Sequence, residues 1–282
     1  MIVSSGLYLR RRVANRVFIA LSIAAALFGL VWLAFILSAL LSEGFSALSP
    51  MLFTHSTPPP GEPGGLLNAI VGSVMMSVLA VILGTPIGLF AGTYLAEYGR
   101  HTTFAFVVRF VNDILLSAPS IVTGLFIYEI VVLPMRHFSG WAGTLSLMVI
   151  VIPVVVRTTE NMLLLVPNGL REAASSLGAP MNHVIRAVTW KAAQAGIVTG
   201  VLLAIARISG ETAPLLFTAL GNNNLSLDMN HPMASLPGVI YTFATGPYED
   251  LHKLAWAGAL LVTATVLTLS ILARLLENNK RN

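Results

Sequence analysis

Six stretches of this chain are too apolar and too long for a water-soluble fold, and they set its class before any motif is considered. A helix needs roughly 20 apolar residues to cross a bilayer core. Val17–Leu41, Leu66–Leu95, Phe106–Leu133, Trp141–Val156, Ile197–Leu220 and Leu254–Leu275 meet or approach that length, the fourth being the shortest. The expected fold is an all-α membrane protein of six transmembrane helices. It comprises one membrane domain (17–282) behind a short N-terminal tail (1–16), with no room for a separate soluble domain. Composition agrees: 10% of residues are charged, against about a quarter in soluble domains.

The first run follows Arg10, Arg11, Arg12 and Arg16 like a secretory signal, but it is too long and ends at no small-residue cleavage site. It reads as a retained first helix. Positive charge marks the cytoplasmic side. With the N-terminus inside, Arg100, Arg109, Arg157, Arg171, Arg186, Lys191, Arg274, Lys280 and Arg281 join those four arginines on the inner side. Only Arg136 and Lys253 fall outside, and Arg207 lies within a span. Both termini are therefore expected in the cytoplasm. Trp141 and Trp256 then fall at outer span ends, where an aromatic belt is expected. The chain has no cysteine and its six histidines are scattered, so no metal site is expected. No basic stripe with interleaved aromatics points to nucleic acid.

The second span carries Gly84, Gly88 and Gly92 at four-residue spacing, a small-residue stripe that lets helix backbones approach in lipid. Pro86 there and Pro119 and Gly124 in the third span predict bent helices. Asp113 and Glu129 are placed near opposite surfaces, without a role. The segment Thr54 to Gly65, rich in Pro and Gly, reads as a stiff irregular connector.

The longest inner loop, about 157–196, carries the clearest local pattern. Asn168 after Pro167 is a candidate N-cap. Leu170, Ala173, Ala174 and Leu177 then share one face of a short helix. Gly178 ends it, accepting the left-handed conformation at the first residue past the cap, and Pro180 suits the first turn of the next helix. This apolar stripe, flanked by Arg171 and Glu172, fits either a groove on another protein or the inner surface of the chain itself. Periodicity does not choose between them.

"EAASSLG" followed by "VIRAVTWK" resembles the EAA loop of ABC importer permeases: Glu172, Ala173, Ala174 and Gly178 match, while Trp190-Lys191 stand where the family pattern has leucine-proline. "PPPGEPGGLLNAIVGS", "TPIGLFAGTYLAEYG", "APSIVTGLF", "VVRTTENMLLLVPNGLREAASSLGAP" and "ARISGETAPLLFTAL" extend the likeness, in order, over most of Pro58 to Leu220. They resemble the phosphate-importer branch of that family. The resemblance implies a MetI-like ABC importer permease fold whose inner loop is a coupling helix inserted into a cleft of the ATPase. It also implies a PstC-like second permease, two PstB-like ATPase subunits, a PstS-like phosphate-binding protein and the phosphate ion itself. The chain lacks the G-x-x-x-x-G-K-[ST] loop that cradles nucleotide phosphates. No cofactor of its own is expected, and the resemblance implies that ATP is bound and hydrolysed by the partner ATPase.

Two full charges, Arg207 and Glu211, stand in the apolar fifth span within "ARISGETAPLL". Arg207 is about ten residues into it and so near mid-membrane, where a lipid-facing arginine costs about 2.5–3.5 kcal/mol. Glu211 at i+4 is expected on the same helical face. One reading is a buried ion pair that fixes packing. The other is a wet pathway, in which the planar guanidinium binds phosphate oxygens. Glu211 then either accepts the P–OH proton that phosphate keeps and sulfate lacks, or holds Arg207 while the path is empty. The second role is favoured, since selectivity is better placed on the delivering protein. Arg157, expected at the inner end of the fourth span, is a further pathway candidate or a snorkelling anchor.

The competing functions are an importer for molybdate, sulfate or phosphonate, and a secondary anion transporter, which has no need of the elbow. An intramembrane serine enzyme lacks any histidine within a span to act as base.

Overall fold

The computed structural model describes residues 5–278, with side chains described over 8–275. Lys280 and Arg281 of the charge tally, and the first four residues of the expected tail, lie outside the described residues. All regular structure among the described residues is helical. Helix α1 runs Ser5–Ser46, so the described part of the expected tail is already helical. Next come α2, Leu67–Tyr98, then α3, Thr103–Ser117, and α4, Ser120–Met135. Helix α5 is Gly140–Leu164 and α6 is Asn168–Ser176. The chain continues through α7, Met181–Ile208, α8, Ala213–Leu216, α9, Leu236–Thr245, and α10, Glu249–Asn278.

Five of these helices are long and apolar enough to cross a membrane, and six spans result if α3 and α4 count as one. That third span is not the single bent helix expected. Its halves meet at 106°, because Pro119 offers no N–H to the preceding turn and holds Ala118 extended (φ −65, ψ 137). The fourth span continues well past Val156, because two of the polar residues that follow the apolar run are paired, although the buried Thr159 hydroxyl is not. The Thr158 hydroxyl donates to the Val154 carbonyl at 2.7 Å, and Glu160 accepts from Arg109 at 2.6 Å. The fifth span is shifted as a whole. Its helix begins at Met181 and stops at Ile208, where Ser209 and Gly210 turn the chain and Pro214 sits in the first turn of the separate α8.

The glycine stripe is the axis of the bundle. A Cβ on Gly88 would lie 2.6 Å from the Val155 Cβ, and one on Gly92 would lie 2.7 Å from the Thr159 Cβ. Helix α2 therefore lies against α5 at backbone distance, as small residues allow in lipid. Gly196 faces Met162 and Gly200 faces Thr158, so α7 runs antiparallel along a second face of α5. The central cluster joins Met76 and Ala80 to Leu147, Val151 and Val155, and to Ala204, Ile208, Leu215 and Ala219. Helix α1 stays outside this packing and meets the rest of the chain at one end, where Gly44 lies against Leu260 of α10. At the end of the bundle away from α6, the buried Asn68 amide accepts from Thr57 N at 3.0 Å and donates to the Asn222 carbonyl at 2.7 Å. This pins the Pro/Gly connector.

Candidate translocation and coupling sites

The first site is defined by two interruptions at one depth. Since Gly200 faces Thr158, each further turn of α7 steps back toward the middle of α5, and Ile208 ends among Ile150 and Val151. Helix α3 approaches the same level: Asn112 donates to the Pro153 carbonyl at 3.3 Å, about two turns before the break at Pro119. Beyond both breaks the chains stay together, and a Cβ on Gly124 would lie 2.7 Å from the Pro214 Cα. Irregular backbone at membrane depth is tolerated where it is buried in protein or lines a hydrated cavity, and discontinuous helices recur at transporter ion sites.

Arg207 stands at this level, in the last turn of α7, with 42% of its side chain exposed. Glu211 is not on the same helical face, because the helix ends before it. It sits in the following turn, where its N–H donates to the Ile208 carbonyl at 3.2 Å. Arg207 Nε and Glu211 Oε1 are 3.9 Å apart, close enough to neutralise each other but too far for a hydrogen bond. Arg157 lies about two turns inside α5 rather than at its end. Its guanidinium is 3.7 Å from Asp113 Oδ1, with both side chains about half exposed.

The second site is the elbow. Gly178 has φ +82, its N–H donates to the Ser175 carbonyl at 2.9 Å, and Ala179 N–H reaches back to Ala174 at 3.3 Å. This is a Schellman closure in which the left-handed residue must be glycine-like. Asn168 is the first helical residue rather than the cap, Pro167 taking that slot, and its side chain accepts from Arg171 at 3.3 Å. Pro180 likewise sits one position before the next helix. No residue of α6 is buried: Leu170, Glu172 and Ala173 are exposed, Ala174 is half-buried and Leu177 is 88% exposed. The stripe therefore does not pack back onto this chain.

Arg171 departs from the docking face on which it was expected. It turns inward and donates to both oxygens of Glu97, at 2.8 and 3.2 Å, and to the Leu163 carbonyl at 2.7 Å. Glu97 and the Arg109–Glu160 pair had no place in the sequence reading. Their only sequence signal is that acidic residues beside apolar helix ends need cationic partners. Which arginine serves which carboxylate is set by contacts between residues 51 and 74 positions apart.

Comparison with known proteins places these features in a family. The family described as "Binding-protein-dependent transport system inner membrane component" matches residues 84–282. The chain is 60% identical to the phosphate transport system permease protein PstA of Pasteurella multocida (strain Pm70), over 94% of this chain and 95% of that one. It is 56% identical to the protein of the same name in Haemophilus influenzae, over 96% of both, and 37% identical to PstA 1 of Mycobacterium tuberculosis (strain ATCC 25618 / H37Rv), over 96% and 90%. Among solved structures, the MetNI methionine ABC transporter in an inward-facing form aligns with a TM-score of 0.57 at 18% identity, over 74% of this chain and 93% of that one. An amino acid ABC transporter aligns with a TM-score of 0.55 at 19% identity, over 75% and 92%; both likenesses are of fold. The chain belongs to the binding-protein-dependent transport system inner membrane components, in the PstA branch, and is a multi-pass protein of the inner membrane.

Proposed function

We propose that this chain is the non-catalytic permease subunit of an ATP-driven importer that carries inorganic phosphate into the cytoplasm. It works beside a PstC-like permease, on two PstB-like ATPase subunits, and receives the ion from a PstS-like binding protein. The charge asymmetry puts the elbow end in the cytoplasm, and the exposed face of α6, with Leu170, Glu172, Ala173, Ala174, Leu177 and Gly178, meets the ATPase. The observation that carries the reading is Arg207, a half-exposed guanidinium at the depth where two helices break. Permanently charged, it offsets part of the cost of bringing an anion into low dielectric and offers it a fork of donors. Glu211, near but not bonded, fits the holding role. It compensates Arg207 when the path is empty and gives way when phosphate enters. Closure of the ATPase dimer on ATP then moves the elbow and alternates access.

Reconstituted complexes test this. Arg207→Ala is expected to abolish uptake of radiolabelled phosphate while the ATPase still co-purifies. Glu211→Gln should slow turnover rather than admit sulfate. Normal uptake by Arg207→Ala would refute the assignment, and competition by molybdate, sulfate and phosphonate separates phosphate from the related oxyanions.

A further inference from the structure

We infer that the Arg171–Glu97 ion pair is the joint that hands movement of the elbow helix to α2, coupling ATP hydrolysis to transport. The inference deepens the proposed role of the elbow and rests on it. Because α6 has no buried residue, apolar packing does not fix it to the bundle. Besides the chain at its two ends and the close approach of the returning helix at Val184–Thr189, the side chain that hydrogen-bonds it to the bundle among the described residues is Arg171. Arg171 donates to both Glu97 oxygens and to the carbonyls of Leu163 and Val166. The Glu97 side chain is 2% exposed, and Arg171 is its salt-bridge partner. A planar fork in that setting holds direction as well as distance.

The receiving end is built to take such a push. Glu97 lies in the π-helical turn Tyr94–Tyr98 that ends α2, and such turns are less regularly bonded than α-helix. Two other donors grip the same stretch. Trp190, about two and a half turns into α7, donates to the Thr93 hydroxyl at 3.1 Å. Arg109 of α3 donates to the Leu95 carbonyl at 2.9 Å. Elbow, returning helix and α3 therefore converge on about five residues. From there α2 transmits rigidly, because Gly92, Gly88 and Gly84 lock it to α5, and α5 in turn packs the segment of α7 that carries Arg207. Coupling between distant sites is carried by chains of packed side chains, hydrogen-bonded networks and rigid helices, and this route is one.

The test uses the full transporter reconstituted with its ATPase, and reads ATP hydrolysed, radiolabelled inorganic phosphate taken up, and ATPase co-purified. Glu97→Gln and Arg171→Lys should each keep the ATPase bound and lower the phosphate moved per ATP by about tenfold, within the usual range of coupling between sites. Combining them should lower that ratio little further, since both act on one joint. An unchanged ratio, or uptake and hydrolysis falling in proportion, would overturn the inference. So would loss of the ATPase from the Glu97→Gln complex, which would make the pair part of the docking face. Leu177→Asp separates the two readings. It should release the ATPase, and retention there would sink the proposed docking of the elbow whatever the joint variants do.

Discussion

Helices α1 and α5 are both long and apolar enough to cross a membrane, yet their surroundings are opposite. α1 is the more hydropathic of the two, and none of its most apolar stretch is buried within the chain, whereas 61% of the corresponding stretch of α5 is buried. In water the more apolar helix would be the inner one. In lipid, apolarity gives no reason for one helix to seek another, and association follows close packing and polar pairing. Helix α5 has both: the α2 glycines lie against it, and Glu160 draws Arg109 of α3 onto it. Helix α1 offers Phe, Leu and Val outward and keeps a glycine contact at one end.

The most severe way to break this contrast is Arg109→Ala, which leaves the buried Glu160 carboxylate uncompensated. Removing one partner of such a pair costs about 3–5 kcal/mol, to be read as early thermal unfolding of the detergent-solubilised complex. Glu160→Gln in the same background should recover part of the loss. Next is Gly88→Ala, whose new methyl meets Val155 at 2.6 Å. Overpacking of this kind costs about 1–3 kcal/mol, and an unchanged melting temperature would show that α2 and α5 are not locked.

The matched change on α1, Gly29→Ala, enters open space. It should be neutral or favourable by up to about 1 kcal/mol, from helix propensity alone. A clear loss there would mean that α1 packs against another subunit in the assembly, and the contrast with α5 would then hold only within the chain. The smallest effect lies outside both helices. The Asp228 carboxyl is held below its ordinary value of 3.8 because the Asn230 N–H donates to it. With a lowered folded value, this ordering of the loop is present above the unfolded value and lost as pH falls through the folded one. Amide exchange at Asn230 should quicken only in strong acid, and Asp228→Ala should remove that dependence.

Much of this was legible in the residues. The apolar runs located the first, second, fourth and sixth spans, the Gly84, Gly88 and Gly92 spacing marked the close face, and Gly178 marked the end of the elbow helix, since each depends on neighbours a few positions away. Where local signals were misread, a longer-range contact or a chain break had intervened. The fourth span outran its apolar run because Glu160 is neutralised from α3. The i+4 relation of Arg207 and Glu211 assumed a helix that Ser209 and Gly210 end. Arg171 was expected to face outward because its partner, Glu97, is remote in sequence.

The sequence by itself determined that the chain enters a bilayer, roughly where it crosses, and which short helix stands apart from it, because hydropathy and glycine chemistry act locally. Only the tertiary structure decided which charges pair, that two breaks share one depth, and that the least apolar of the compared helices lies innermost. Those outcomes depend on side chains that meet across the bundle, and in lipid such meetings, rather than the hydrophobic effect, order the helices.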